Sequence, residues 1–208
     1  MTGSTTVDWR AVDWMGELER SGALRKGHFR LSSGLHSPAY VQCARLLEDP
    51  ARARRAGEAL AGALTEELGE AWRGGPDSVL APAMGAVLIG HEVAAALGVP
   101  FRFTERTADG AMALRRGFAL AAGERVVVIE DAVTTGRSTR ETMVLARDAG
   151  AEVQAVGALV DRSGDATPFD VPFVRLARLD LPTWRQDSCP LCEQGTPAVK
   201  PGSRPEAG

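Results

Sequence analysis

The chain has 208 residues, 44% of them hydrophobic and 25% charged, with a formal net charge of −3. That balance fits a single globular α/β domain with small additions and argues against a nucleic-acid or anionic-membrane surface. No run approaches a membrane span, and the opening MTGSTTVDWR lacks the regions of a secretion signal, so the cytoplasm is the expected location.

Taken in chain order, residues 7–22 carry Val12, Met15 and Leu18 at helical spacing beside Trp9 and Trp14. This predicts an amphipathic helix packed on the domain or on a second subunit. Residues 29–41 mix Ser, Gly and Pro with short apolar alternation, as expected of a hairpin or an irregular lid. Asp49 followed by Pro50 is an N-cap and first-turn pair opening a helix to about Trp72. Residues 79–81 then read as a strand, 82–86 as a loop, 87–97 as a helix stopped by Gly98, and 99–105 as a strand. Residues 106–116 contain Gly110 and small side chains with little to bury beyond Met112 and Leu114, which suits a mobile segment. From about Thr196 the chain is rich in Pro and Gly and reads as a loosely held tail.

The stretch VVVIEDAVTTGRST, residues 126–139, carries the most chemistry. Residues 126–129 are too short and β-branched for a helix and read as a buried parallel strand. Glu130 and Asp131 then fall at its carboxyl end, where open α/β sheets bind ligands. Thr134, Thr135, Gly136, Arg137 and Ser138 follow, small and hydroxyl-rich, so that backbone can approach an anion. Ser138 with Glu141 reads as a capping box that starts a helix at about Thr139. Carboxylates suit vicinal sugar hydroxyls, and a helix N-terminus suits phosphate. The plainer alternative is an ordinary strand–loop–helix turn with solvated acids.

This stretch resembles the phosphoribosyl-diphosphate (PRPP) signature of type I phosphoribosyltransferases. Further segments resemble the orotate-specific members of that family: GHFRLSSGLHSPAYVQCA (27–44), VLAPAMGAVLIGHEVA (79–94), FTER (103–106), LRRGF (114–118), LVDRSG (159–164) and RLDLPTW (178–184). The resemblance runs from about Gly22 to Arg204. It implies an α/β fold of the type I phosphoribosyltransferase kind, with a central, mainly parallel sheet flanked by helices. One domain would span residues 1–208, with a small N-terminal helix and hood over about 1–48 and the loose tail from about 196.

The resemblance also assigns roles. Glu130 and Asp131 would hold the ribose, and Ala132, Val133, Thr134, Thr135, Gly136, Arg137 and Ser138 the rest of PRPP. Ala83, Met84 and Gly85 would hold the diphosphate through backbone N–H groups, although a tight turn needing small residues explains PAMGA equally well. Arg106, Arg115 and Arg116 would bring positive charge to the leaving diphosphate from a closing loop, the alternative being a surface hairpin with solvated arginines. Family versions of that loop carry lysines and a histidine, which this chain lacks. Arginine stabilises an anion bidentately but does not give up its proton. Arg162, with Thr134, would contact orotate, the alternative being a salt bridge to Asp161 or Asp165. Ser32 stands where some members have a lysine. Mg²⁺ would travel with the diphosphate, and a homodimer is implied.

Transfer of ribose 5-phosphate from PRPP to orotate is therefore the expected activity. A phosphoribosyltransferase for another base and a non-catalytic PRPP-sensing regulator are the alternatives. Among the remaining residues, Cys189 and Cys192 form a single CPLC. By itself this is half of a structural metal site, and no second pair or suitably spaced histidines complete it, so no protein metal site is expected and two reduced thiols are the default. A labile disulfide or a metal shared across a dimer stays open. His28 and His36 read as local hydrogen-bonding residues, and His91 as a packed or solvent-facing helix residue.

Overall fold

A computed structural model describes residues 8–31, 33–72, 74–164 and 169–201. Ser32 and Asp165 therefore lie outside the described residues. Helix α1 (Trp14–Arg20) is shorter than the spacing predicts. Asp13 caps it by accepting from the Gly16 N–H, and the chain before Asp13 turns rather than coils. Strands β1 (Leu24–Arg30) and β2 (His36–Val41) form an antiparallel hairpin whose register shifts between Lys26 and Phe29. A short α2 (Ala44–Leu47) leads to α3 (Pro50–Leu68), where Asp49 accepts from the Ala51 and Arg52 N–H groups. The last turn before Trp72 tightens to a 3₁₀ helix at Gly69 instead of continuing α.

The main sheet contains β3 (Ser78–Pro82), β4 (Phe101–Arg106), β5 (Met112–Leu114), β6 (Arg125–Val133), β7 (Glu152–Asp161) and β8 (Phe173–Arg178). Its order is β5-β4-β3-β6-β7-β8, parallel throughout except for β5. Helix α4 (Val87–Leu97) connects β3 to β4, and α5 (Arg137–Asp148) connects β6 to β7. The two crossovers leave in opposite directions, so β3 and β6 flank the switch point where such sheets open a crevice.

Strand alternation divides the core. Val79, Ala81, Val127 and Ile129 pack with α3 and α4, whereas Leu80, Val126 and Val128 face Met143 and Ala146 of α5. Helices α3 and α4 pack so closely that a Cβ on Gly57 would stand 2.5 Å from the Glu92 Cβ.

The segment 106–116 forms a hairpin in which Thr107 N–H bonds Ala111 O at 2.9 Å, with Gly110 at φ 86. Residues from Thr196, expected to hang loosely, lie in their described part against the N-terminal hairpin. Val199 N–H bonds His28 O and Arg30 N–H bonds Val199 O, both at 2.9 Å. Beside them is α6 (Pro190–Glu193), with Cys189 at its N-cap. The expectation that no histidines accompany the CPLC pair is corrected here: the ring nitrogens of His28 and His36 and both sulfurs lie within 4.8 Å of one another. Sequence spacing missed this because the hairpin and the turn meet only in the folded chain.

Candidate active site

Strand β6 runs further than the apolar run predicts, because it keeps pairing with β7 through Val133 and Asp161. Both acids therefore belong to the strand, Glu130 meeting Thr139 of α5 and Asp131 meeting Gly85. Glu130 is 8% exposed; it accepts from the Thr139 hydroxyl at 3.0 Å and from the Asp131 N–H at 3.2 Å. Burial first, and then the charge of Asp131, push the Glu130 carboxyl up to about 8. Asp131 reaches the loop after β3 while its carboxyl stays within hydrogen-bonding reach of Glu130. A Cβ on Gly85 would stand 2.7 Å from Asp131 Oδ2. The two acids expected to act as a pair are thus a buried, proton-holding carboxyl and a more open one.

Beyond β6, Glu130 and residues 132–139 line a small cavity of about 80 Å³. The expected capping box is not formed. Helix α5 starts at Arg137 with Gly136 at the N-cap, φ 69, and no side chain caps it. Ser138 and Glu141 instead meet Arg106, whose Nη2 donates to them at 3.3 and 2.6 Å, and Glu141 also accepts from Arg137 Nε at 2.8 Å. The Arg137 N–H donates to the Thr135 hydroxyl at 3.4 Å, and the N-cap glycine leaves the rest of the first turn open to an anion at the positive end of the helix dipole.

The loop after β3 begins with Ala83 N–H bonded to Thr104 O at 2.7 Å, and the Ala83–Met84 peptide is cis. Met84 is exposed, and Gly85 is the contact to Asp131. A bare glycine here is needed for that approach.

Arg162 follows β7, its N–H bonded to Val133 O at 2.7 Å. Its guanidinium is largely buried, which lowers its pKa, and Nε has no hydrogen-bond partner. Asp161, one of the two alternative partners, accepts instead from the Ser163 hydroxyl at 2.6 Å and pairs with Arg175 at 3.4 Å. Cys43 and Tyr40 lie in electrostatic reach of Arg162 and of Asp131. Cys43 is buried and its thiol donates to the Asp131 carbonyl at 3.5 Å. Neither was singled out in the sequence, where a lone Tyr and a distant Cys carry no spacing signal.

The three loop arginines separate. Arg106 is tied to Gly110 O, Ser138 and Glu141. Arg116 forks onto Glu105 at 2.8 and 2.9 Å and lies 5.7 Å from the Phe103 ring centre. Arg115 is exposed, its carbonyl accepts from the Phe118 N–H at 2.9 Å, and its side chain makes no hydrogen bond or ion pair with a described residue. Glu130, Asp131, residues 132–138, Gly85 and Arg162 thus converge on one sheet edge, which Arg106 reaches through Ser138, while Arg116 is engaged on Glu105.

Comparison with known proteins adds a second line of observation. The phosphoribosyl transferase domain family matches residues 44–187. The chain is 50% identical to the orotate phosphoribosyltransferase of Heliobacterium modesticaldum over 187 residues, covering 90% of this chain and 95% of that protein. It is also 50% identical to that of Novosphingobium aromaticivorans, covering 91% and 95%. Among solved structures, orotate phosphoribosyltransferase from Aeropyrum pernix superposes with a TM-score of 0.63 at 28% identity, covering 78% of this chain and 91% of that one.

Proposed function

The chain belongs to the phosphoribosyltransferase family and, within it, to the orotate phosphoribosyltransferases, and from that footing we propose how its residues divide the work. It transfers ribose 5-phosphate from PRPP to N1 of orotate, giving orotidine 5′-phosphate and diphosphate in pyrimidine synthesis. The bond broken is glycosidic in character, so positive charge builds on the sugar ring as the diphosphate leaves. The protein's task is to position both reactants, stabilise the departing negative charge and exclude water.

Asp131 accepts from the ribose hydroxyls in this reading. Glu130, neutral near pH 7, acts one layer below and holds Thr139 at the start of α5. The uncapped turn and residues 132–138 take the 5′-phosphate, with Thr134 also turned to the base. Ala83, Met84 and Gly85 take the diphosphate. Arg162 recognises the orotate carboxylate, its partnerless Nε supporting a ligand role over a structural ion pair. Of the loop arginines, Arg115 is the group left available to the leaving diphosphate.

Burial pushes the Glu130 carboxyl toward its neutral form, and a site this sparing of protein carboxylates suits a cation keeping water and substrate oxygens as ligands. Mg²⁺ would be held by the diphosphate with Asp131 available to its waters, and it neutralises leaving-group charge. A homodimer in the cytoplasm is the setting the family suggests; no described helix is long and apolar enough to cross a membrane.

The observation that carries this assignment is the contact between Gly85 and Asp131, which makes the sugar and diphosphate positions contiguous across the switch point. The test mixes the protein with PRPP, Mg²⁺ and a panel of bases and follows diphosphate release. Release with orotate alone supports the reading. Turnover with adenine or uracil but not orotate overturns the base assignment, and PRPP binding without turnover overturns catalysis.

A further inference from the structure

We propose that His28, His36, Cys189 and Cys192 form a structural Zn²⁺ site that fastens the N-terminal hairpin to the C-terminal turn. His28 Nε2 lies 2.8 Å from His36 Nδ1 and 3.4 Å from Cys189 Sγ, and Cys192 Sγ lies 3.3 Å from His36 Nδ1 and 3.9 Å from His28 Nε2. Zinc bonded tetrahedrally to two sulfurs and two nitrogens sets nitrogen–sulfur edges at about 3.5 Å and the nitrogen–nitrogen edge at about 3.3 Å. The four donors therefore stand within a few tenths of an ångström of a zinc tetrahedron on three of these edges. The two nitrogens must part by about half an ångström, and the two remaining edges, both to the Cys189 sulfur, lie within 4.8 Å.

The surroundings favour a metal over the alternatives. His28 Nδ1 lies 2.7 Å from the Thr196 carbonyl, which can only accept, so Nδ1 carries the proton and Nε2 turns its lone pair to the cluster. This is the outer-sphere arrangement that orients a metal-binding imidazole. Four converging donors, three of them on buried residues, need something to hold them together. A Cys189–Cys192 disulfide would leave both imidazoles facing an apolar sulfur pair. Two thiolates cancel the charge of Zn²⁺, so the filled site buries no net charge. Binding displaces one proton from each thiol and none from the imidazoles, which coordinate in their neutral form.

The donor set also selects the metal and the role. Two sulfurs with two imidazoles suit Zn²⁺ rather than Mg²⁺, and four protein ligands leave no open position for chemistry. Cys192 borders a cleft of about 730 Å³ between the hairpin turn and residues 185–187, which gives the ion a route in. The expected consequence is mechanical: zinc clamps the hairpin that carries Tyr40 toward Asp131.

The test uses the full chain purified under reducing conditions without chelator. Expected are one zinc per chain by elemental analysis, protection of Cys189 and Cys192 from alkylation, and loss of that protection with a strong chelator. Titrating the chelated protein with Co²⁺ should give tetrahedral d–d bands and a thiolate charge-transfer band. Cys192→Ser, the least buried ligand, should weaken Co²⁺ binding by more than about a hundredfold, beyond the cost of losing an outer-sphere partner. Substoichiometric zinc with alkylation unaffected by chelator, or an octahedral Co²⁺ spectrum without the thiolate band, would overturn the proposal. Both readouts come from the unmutated protein and stand even where a variant folds poorly.

Discussion

The Asp131 carboxylate lies against Gly85 so closely that a Cβ there would stand 2.7 Å from Oδ2 and 2.9 Å from Cγ. Gly85→Ala must displace either the acid or the loop after β3, both of which are proposed to touch PRPP. A misplacement of that order near reacting atoms costs up to about a hundredfold. The expected result is kcat/KM for PRPP reduced about ten- to a hundredfold with thermal stability nearly unchanged. Wild-type kinetics would separate Gly85 from the diphosphate.

Asp131→Asn keeps the shape but removes the charge that strengthens hydrogen bonds from the ribose hydroxyls. Bonds to a charged partner contribute about 1.5–3 kcal/mol, so kcat/KM for PRPP should fall roughly ten- to a hundredfold. Circular dichroism should match the parent. Unchanged kinetics would remove Asp131 from the sugar.

Glu130 makes the contrasting prediction, because its neutral form is the one the fold holds. Glu130→Gln should keep activity within about tenfold, whereas Glu130→Ala also loses the bond from Thr139. The same residue gives a pH dependence. Its carboxyl rises from 4.5 to about 8 on folding, so between those values the folded state binds the extra proton. Its contribution is fully present below about pH 4.5 and declines by up to about 1.4 kcal/mol per pH unit until it levels above 8. Denaturant melts of the parent and Glu130→Gln across that window should diverge in slope; parallel curves would contradict the shift.

Arg162→Lys tests recognition of the base. Lysine keeps the charge but loses the planar fork that matches a carboxylate. The KM for orotate should rise about tenfold or more while the KM for PRPP moves little. A rise shared equally by both substrates would point to a structural role.

Arg115→Ala and Arg116→Ala should part company. Removing Arg115 should lower kcat about a hundredfold if it meets the leaving diphosphate, as for other preorganised charge stabilisers. Removing Arg116 breaks its fork onto Glu105 and should affect turnover far less. Equal effects would mean that the segment rearranges before turnover.

How much of this was legible in the sequence depended on range. Helix α4 and its stop at Gly98 were readable because the signals are local: apolar periodicity and a glycine at φ 70. The sheet edge that gathers Glu130, the residues after it and Arg162 followed from strand–loop–helix order. The capping box failed because Arg106, far away in sequence, bids for Ser138 and Glu141 more strongly than the helix end does. The different surroundings of Glu130 and Asp131 depended on how far β7 continues the ladder, which an apolar count cannot reveal. Cys43, Tyr40 and the histidines beside CPLC are non-local neighbours, and spacing rules have no access to them.

The pairing of Val199 with His28 bears on how the molecule is assembled during translation. All six strands of the main sheet lie between residues 78 and 178, so a ribosome delivers the whole sheet before residues 189–199 emerge. The hairpin, made before any strand of the main sheet, must wait for the last of these contacts. The nascent enzyme can therefore own a finished sheet while its hood is still open, and maturation becomes a closing step with its own clock.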